Sequence, residues 1–545
     1  MQRKNALLLL IAMLPAVLLP GCGKESSKTG AGHAFAYTLV GNPDTLDPQL
    51  AVNASAKTVL SNLFEGLLRL DADGNVTYGA AESYTVSDDG LTYHFTLRPD
   101  CYWYNATKSI EGYGEEAETA VTAMDFVFAF QRMFDPIYQS PYREEFACIK
   151  NAAAILRETQ DPSMIGVYAK SDRELEIQLD TPNANFPLLL TTTAALPCSA
   201  AYFEATKGRY GLDEDSVIGN GSFAMQRWLY DPYGKYNVIQ LVRNPLNHKN
   251  HKVYPTEISF FIEKTEADAE NIFVNGSADC YAGTQSAWLN DTKYQAVGAY
   301  SITLGLCINP AAQYGNSEIR KAIACAIDRS SIPQKGDVQP ASGILPPAVT
   351  LLNKSCRELI SDALYTQFDA AKAQESLRTG LGALHLAELD EARVLAPAGM
   401  MDYTPLHDLL QSLNSTLGLH LSIEEVSEAD YTERLAKGDY TIALCAVTGE
   451  NYEASSVFRT LLGNAAIGCT HKEAVTALLE QAAEQKNLAD CVELYRRAEE
   501  EILADNCFIP LFYKQRYLFC KSGVSDVLFN PFTGQVQFTE AKYFD

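Results

Sequence analysis

Segments with the period of a β-strand alternate with segments of helical period along almost the whole chain, and this most constrains the fold. Ala34-Phe35-Ala36-Tyr37-Thr38-Leu39-Val40 reads as a strand and stops at the turn formers Gly41-Asn42-Pro43-Asp44. Thr58 to Phe64 has helical apolar spacing, whereas Tyr93 to Leu97 and Leu175 to Leu179 alternate as strands. Between those strands, Thr122 with Asp125 three residues on marks a helix start, with Phe126, Phe130, Met133 and Phe134 as its apolar face. Ile319, Ile323 and Ile327, capped by Asn316 or Ser317, mark a helix packed tightly against a sheet. Two more helical patterns, Val475 to Ala482 and Leu488 to Ile502, lead into the extended apolar run Phe508 to Tyr513. Alternation of this kind argues for α/β domains with mixed sheets, and a length of 545 residues for two or three of them. The Gly- and acid-rich piece Glu111 to Glu116 reads as a surface insertion.

The first residues point to export. Arg3 and Lys4 precede the apolar run Ala6 to Leu14, and Pro15 and Pro20 make that run a poor permanent span. Leu19-Pro20-Gly21-Cys22 resembles a bacterial lipobox, which implies lipidation of Cys22 and cleavage just before it. Gly23 to Gly32 then reads as a polar tether. The expected product is anchored by lipid on the extracytoplasmic face of the cell membrane and does not span it.

Charge and motif searches exclude other classes. Lys and Arg number 43 against 68 Asp and Glu, a net charge of −25, which works against a nucleic-acid partner. There is no H-E-x-x-H, G-x-S-x-G, Walker A or strand-linked G-x-G-x-x-G, so no enzyme is expected. The nearest histidine pair, His248 and His251, sits in an Asn- and Pro-bearing loop, so neither a metal nor another cofactor is expected. None of the 13 cysteines pairs as C-x-x-C, and most sit in apolar segments; their disulfide state stays open.

The order of several segments resembles a known family. Pro43-Asp44-Thr45-Leu46-Asp47-Pro48, then Leu63-Phe64-Glu65-Gly66-Leu67, look like its opening signature, and Asp88 to Arg98 its first β-hairpin. Val121 to Val127 with Gln131-Arg132, Gly219 to Phe223, Arg243-Asn244-Pro245, Ile319 to Ile323 and Ala326 to Arg329 follow in order. Gly343 with Pro346-Pro347, and Ile509 to Phe512, complete the series. These segments identify a resemblance to the oligopeptide-binding family of transporter solute-binding proteins, solute-binding family 5, over residues 35 to 515. It implies an α/β two-lobed clamp of the periplasmic-binding-protein kind, with mixed sheets and an additional inserted small domain. On this chain the implied bounds are 1–22 for the signal peptide and 23–33 for the tether. Lobe I then takes 34–70, 190–300 and 506–545, the small domain 71–189, and lobe II 301–505.

The resemblance also implies a monomer that takes short peptides between its lobes and delivers them to the transmembrane subunits of an ABC permease. Peptide binders of the family hold the ligand's α-amine with an acidic residue in a pattern like Ala-Asp-Tyr-x-x-Pro. The corresponding run here is Gly449-Glu450-Asn451-Tyr452-Glu453, with Glu in place of Asp and Ala454 in place of the proline. Glu450 is therefore the expected amine anchor, with Asn451 and Tyr452 as pocket neighbours. A desolvated ammonium needs an opposing carboxylate on physical grounds alone. Trp103 and Trp228 are read as core. Other solutes known for the family (nickel chelates, haem, opines, oligosaccharides) stay open, as does a role in sensing peptides rather than importing them.

Overall fold

The computed structural model describes residues 32–544 apart from 73, 115–116, 184, 248–251, 285–287, 333–337, 352–353, 361–364, 465 and 486. Cys22, the lipobox, the tether through residue 31 and the pair His248 and His251 lie outside the described residues.

One mixed sheet of 11 strands runs through the molecule. From one edge its order is Leu421–Val426, Ala392–Pro397, Ile442–Thr448, Tyr294–Ile308, Phe508–Lys521, Cys280–Gly283, Ala34–Val40, Glu257–Glu263, Val238–Arg243 and Phe223–Leu229, with Val338–Pro340 added beside Phe508–Lys521. Two strands are far longer than the rest: Tyr294–Ile308 has 15 residues and Phe508–Lys521 has 14. They pair antiparallel from Tyr294 opposite Lys521 to Cys307 opposite Phe508, with irregularities at Tyr300/Ile302 and Leu304/Gly305. Pro510 has no N–H for the ladder, so the second irregularity falls where it faces Gly305.

Burial divides this sheet into two lobes. The first core gathers Phe35, Phe95, Phe126, Phe223, Phe260 and Leu518. In the second lobe both faces of the sheet are covered. Leu304, Leu306 and Leu444 pack under helices Ser317–Ala326, Ala370–Leu384 and Thr404–Leu417. Cys307, Ala443 and Cys445, on the opposite face by strand alternation, pack under Ala454–Gly463, Lys472–Ala483 and Leu488–Ala504. Coverage on both sides is why Ile442 to Val447 reads as an unbroken apolar run. Phe508–Lys521 feeds both cores: Ile509 and Phe512 belong to the second, Leu518 and Cys520 to the first.

A smaller antiparallel sheet, Ala81–Val86, Thr92–Leu97, Glu174–Gln178 and Val167–Ala169, attaches to the first lobe through a continuous core. Helix Ala123–Phe134 covers it, and the capping box of Thr122 and Asp125 forms as the spacing requires. Burial pushes the Asp125 carboxyl up to about 6, opposed by bonds from Thr122 and the Trp103 indole. Two buried ion pairs use residues of the sequence signature. Asp47 meets Arg132, whose guanidinium also donates to Gln49 Oε1 at 3.0 Å, and Glu65 meets Arg98 at 3.1 Å. Each fastens the opening segment to the small sheet or its helix. The described cysteines are all free thiols and mostly buried; Cys280 and Cys520 stand opposite on neighbouring strands with sulfurs 3.2 Å apart.

Candidate functional site

A cavity of about 170 Å³ lies where the two lobes meet. The first lobe contributes Lys57, the hairpin segment Leu68 to Asp71, Tyr142, Glu145 and Thr191 to Ala194. The second contributes Glu450, Asn451 and Tyr452, and the C-terminal segment adds Asn530 and Gln535 to Gln537. The structure thus brings all three sequence-selected residues to one wall.

Their loop follows from the end of strand Ile442–Thr448. The Glu450 N–H donates to Ser456 Oγ at 2.8 Å, which turns the chain back toward the next helix. Asn451 is buried, and its Oδ1 accepts from the Glu453 N–H at 2.9 Å, so it shapes the turn. Glu453 stands just before helix Ala454–Gly463, and its buried carboxylate accepts from Asn185 Nδ2 at 2.9 Å across the lobe boundary. Ala454 is the first helical residue, a position that suits proline equally well, so this departure from the family pattern leaves the turn intact. The Tyr452 ring meets Phe532 edge-on at 5.1 Å and covers Gly74 at the tip of the first-lobe hairpin. Burial, with Asp71 nearby, pushes the Tyr452 phenol up to about 12.

Glu450 is the most open of the three. Its side chain is 57% exposed, and Oε2 lies 2.8 Å from Lys57 Nζ of the opposite lobe. Four carboxylates line the cavity (Glu65, Asp71, Glu145 and Glu450) against two cations, Lys57 and Arg69. Glu65 is held by Arg98, and Arg69 by Glu540 at 3.2 Å. Asp71 accepts from the Asn75 backbone and side chain at 2.9 and 3.2 Å. Burial pushes the Glu145 carboxyl up to about 7; Arg459 and Lys57 oppose the shift, and Glu450 and Glu453 add to it. Sequence reasoning missed Lys57, Glu145 and the C-terminal wall. Each lies far along the chain from Glu450, and no local pattern marks them.

Trp103 and Trp228 stay off the cavity. Trp103 is buried with Nε1 on Asp125, and Trp228 donates to Asn42 Oδ1 at 2.9 Å. Among the described residues no group of three or more His, Cys, Asp or Glu could hold a metal ion, and no helix is long and apolar enough to cross a membrane.

Two lobes that share long strands, with a cavity between them, define a solute-binding clamp. Residues 75–468 match the family model for bacterial extracellular solute-binding proteins, family 5 middle, and the chain belongs to that family. It is 24% identical over 537 residues to the probable deoxycholate-binding periplasmic protein YgiS of Escherichia coli K12, covering 94% of each chain. It is 23% identical to the periplasmic oligopeptide-binding protein OppA of the same strain, covering 93% of this chain and 92% of that one. Among solved structures, Listeria monocytogenes OppA bound to peptide shares the fold at a TM-score of 0.71, with 20% identity and coverage of 94% and 99%.

Proposed function

We propose that this protein captures short peptides in the inter-lobe cleft, with the ligand's α-ammonium on Glu450. It then delivers them to the transmembrane subunits of an ABC permease. In this reading it acts as a monomer held on the extracytoplasmic face of the membrane by lipid on Cys22. The observation that carries the ligand class is the carboxylate of Glu450, facing a cavity between the lobes whose lining holds more acids than cations. Such a wall attracts a cation and repels an anion. It therefore favours a peptide amine over a bile-acid anion such as the one named for YgiS, although the overall identities are equally low. A cavity of about 170 Å³ is small beside the usual ligand pocket of about 300–1,000 Å³, which suits a short ligand.

Native mass spectrometry of the gently purified soluble protein, residues after Cys22, tests this directly. A ladder of short-peptide masses is expected; a single discrete adduct of another kind, or a cleft that peptides do not fill, would sink the peptide assignment. Glu450→Gln should then weaken peptide binding by about 1.5–3 kcal/mol, roughly ten- to a hundredfold in Kd by titration calorimetry.

A further inference from the structure

The cleft contains a cation of its own where a ligand's cation would go. Lys57, on helix Ala54–Leu63, places its ammonium 2.8 Å from Glu450 Oε2 while its side chain is only 13% exposed. Glu145 lines the same cavity from the same lobe, and among the described residues its carboxylate accepts no hydrogen bond and lies in no close ion pair. The charged groups facing Glu145 are Lys57 from its own lobe and Arg459, Glu450 and Glu453 from the other, with the Tyr142 phenol beside it. Lys57 is thus one ammonium between two carboxylates. Glu145 is half-buried, and loss of water around its carboxyl pushes it toward the protonated form.

We propose that Lys57 is a built-in stand-in for the ligand's ammonium: an entering amine takes Glu450, and Lys57 turns onto Glu145. This rests on the reading that Glu450 receives an amine. The exchange balances: the ligand brings one positive charge, Glu145 gives its proton to water, and each carboxylate ends with one ammonium. Glu450 is open to water, so its pair with Lys57 is weak enough to be displaced. A ligand without a cation leaves Lys57 on Glu450 and Glu145 unpaired, and so gains nothing from either carboxylate. The cleft is selective for the amine because it must be exchanged for something already there.

Titration calorimetry with tri-alanine and N-acetyl-tri-alanine, in buffers of different ionisation enthalpy, tests the exchange. At pH 7 tri-alanine should release about half a proton from the wild type and none from Glu145→Gln. Lys57→Met removes the cation that turns onto Glu145 and should abolish the proton release on tri-alanine binding, as Glu145→Gln does. A lysine that merely props the lobes together would leave the proton release in place, and release that persists in Lys57→Met overturns the proposal. A ligand-free measurement separates it from the peptide reading. In protein carrying carboxyl-labelled glutamate, Glu450→Gln frees Lys57 for Glu145, whose titration midpoint should fall by about one pH unit or more by NMR. An unmoved midpoint also overturns the exchange. If the midpoint falls but tri-alanine does not bind, the peptide reading fails and the exchange stands for another cationic solute.

Discussion

At the scale of single residues, Glu145 ties the cleft to pH. Burial raises its carboxyl from the ordinary 4.5 to about 7, so the unfolded chain ionises at lower pH than the folded one. Its contribution to stability is complete below about 4.5 and is lost as pH rises through about 7. In the ligand-free protein, Glu145→Gln should therefore flatten the fall in urea-unfolding stability between pH 5 and pH 8. It should gain about 2–3 kcal/mol at the upper end. An equally steep fall in the variant would show that the carboxyl sits elsewhere in solution. Glu450 could be picked out because it lies in a motif directly after an apolar strand. Glu145 could not, since Arg143-Glu144-Glu145 looks like any solvated acidic stretch until the fold brings the second lobe over it.

At the scale of elements, the buried acid of helix Leu488–Ala504 fixes a second-lobe loop. Glu499 accepts the Ile344 and Leu345 N–H groups and both arms of Arg357, at 3.1 and 2.9 Å. Gly343 lies against this cluster: a Cβ there would stand 2.0 Å from Arg357 Nη1 and 2.2 Å from Glu499 Oε1. Gly343→Ala should push the outer ends of both side chains aside and cost about 1–3 kcal/mol, read from the urea midpoint. A loss under about 1 kcal/mol would mean that the loop yields at low cost. The alternation of strands and helices was largely legible because each element has a dedicated face. The long strands were not. Phe508 to Tyr513 is apolar because both its faces are covered, but the same strand continues through Lys514, Gln515 and Arg516 to Lys521. Those polar residues mark the passage between cores, which a local reading takes for the end of a strand. Tyr294 to Ala299 was missed likewise, because that half of its strand is mostly exposed.

At the scale of the whole molecule, the proposed anchor and the clamp are separable. Cys22→Ala should leave the folded lobes intact and release the protein from membranes, as fractionation would show; persistent membrane attachment would refute lipidation at that cysteine. The clamp itself is less divisible. Phe508–Lys521 lends side chains to both cores and is paired along almost its whole length with Tyr294–Ile308, so neither lobe can come apart without disturbing strands of the other. Most proteins of this size unfold domain by domain, with intermediates. Here calorimetry should instead record one endotherm whose van't Hoff and calorimetric enthalpies agree, and two resolved endotherms would show that the shared strands split between independent units. A solute gripped at the cleft would then raise the melting temperature of residues far from it, because the lobes melt together.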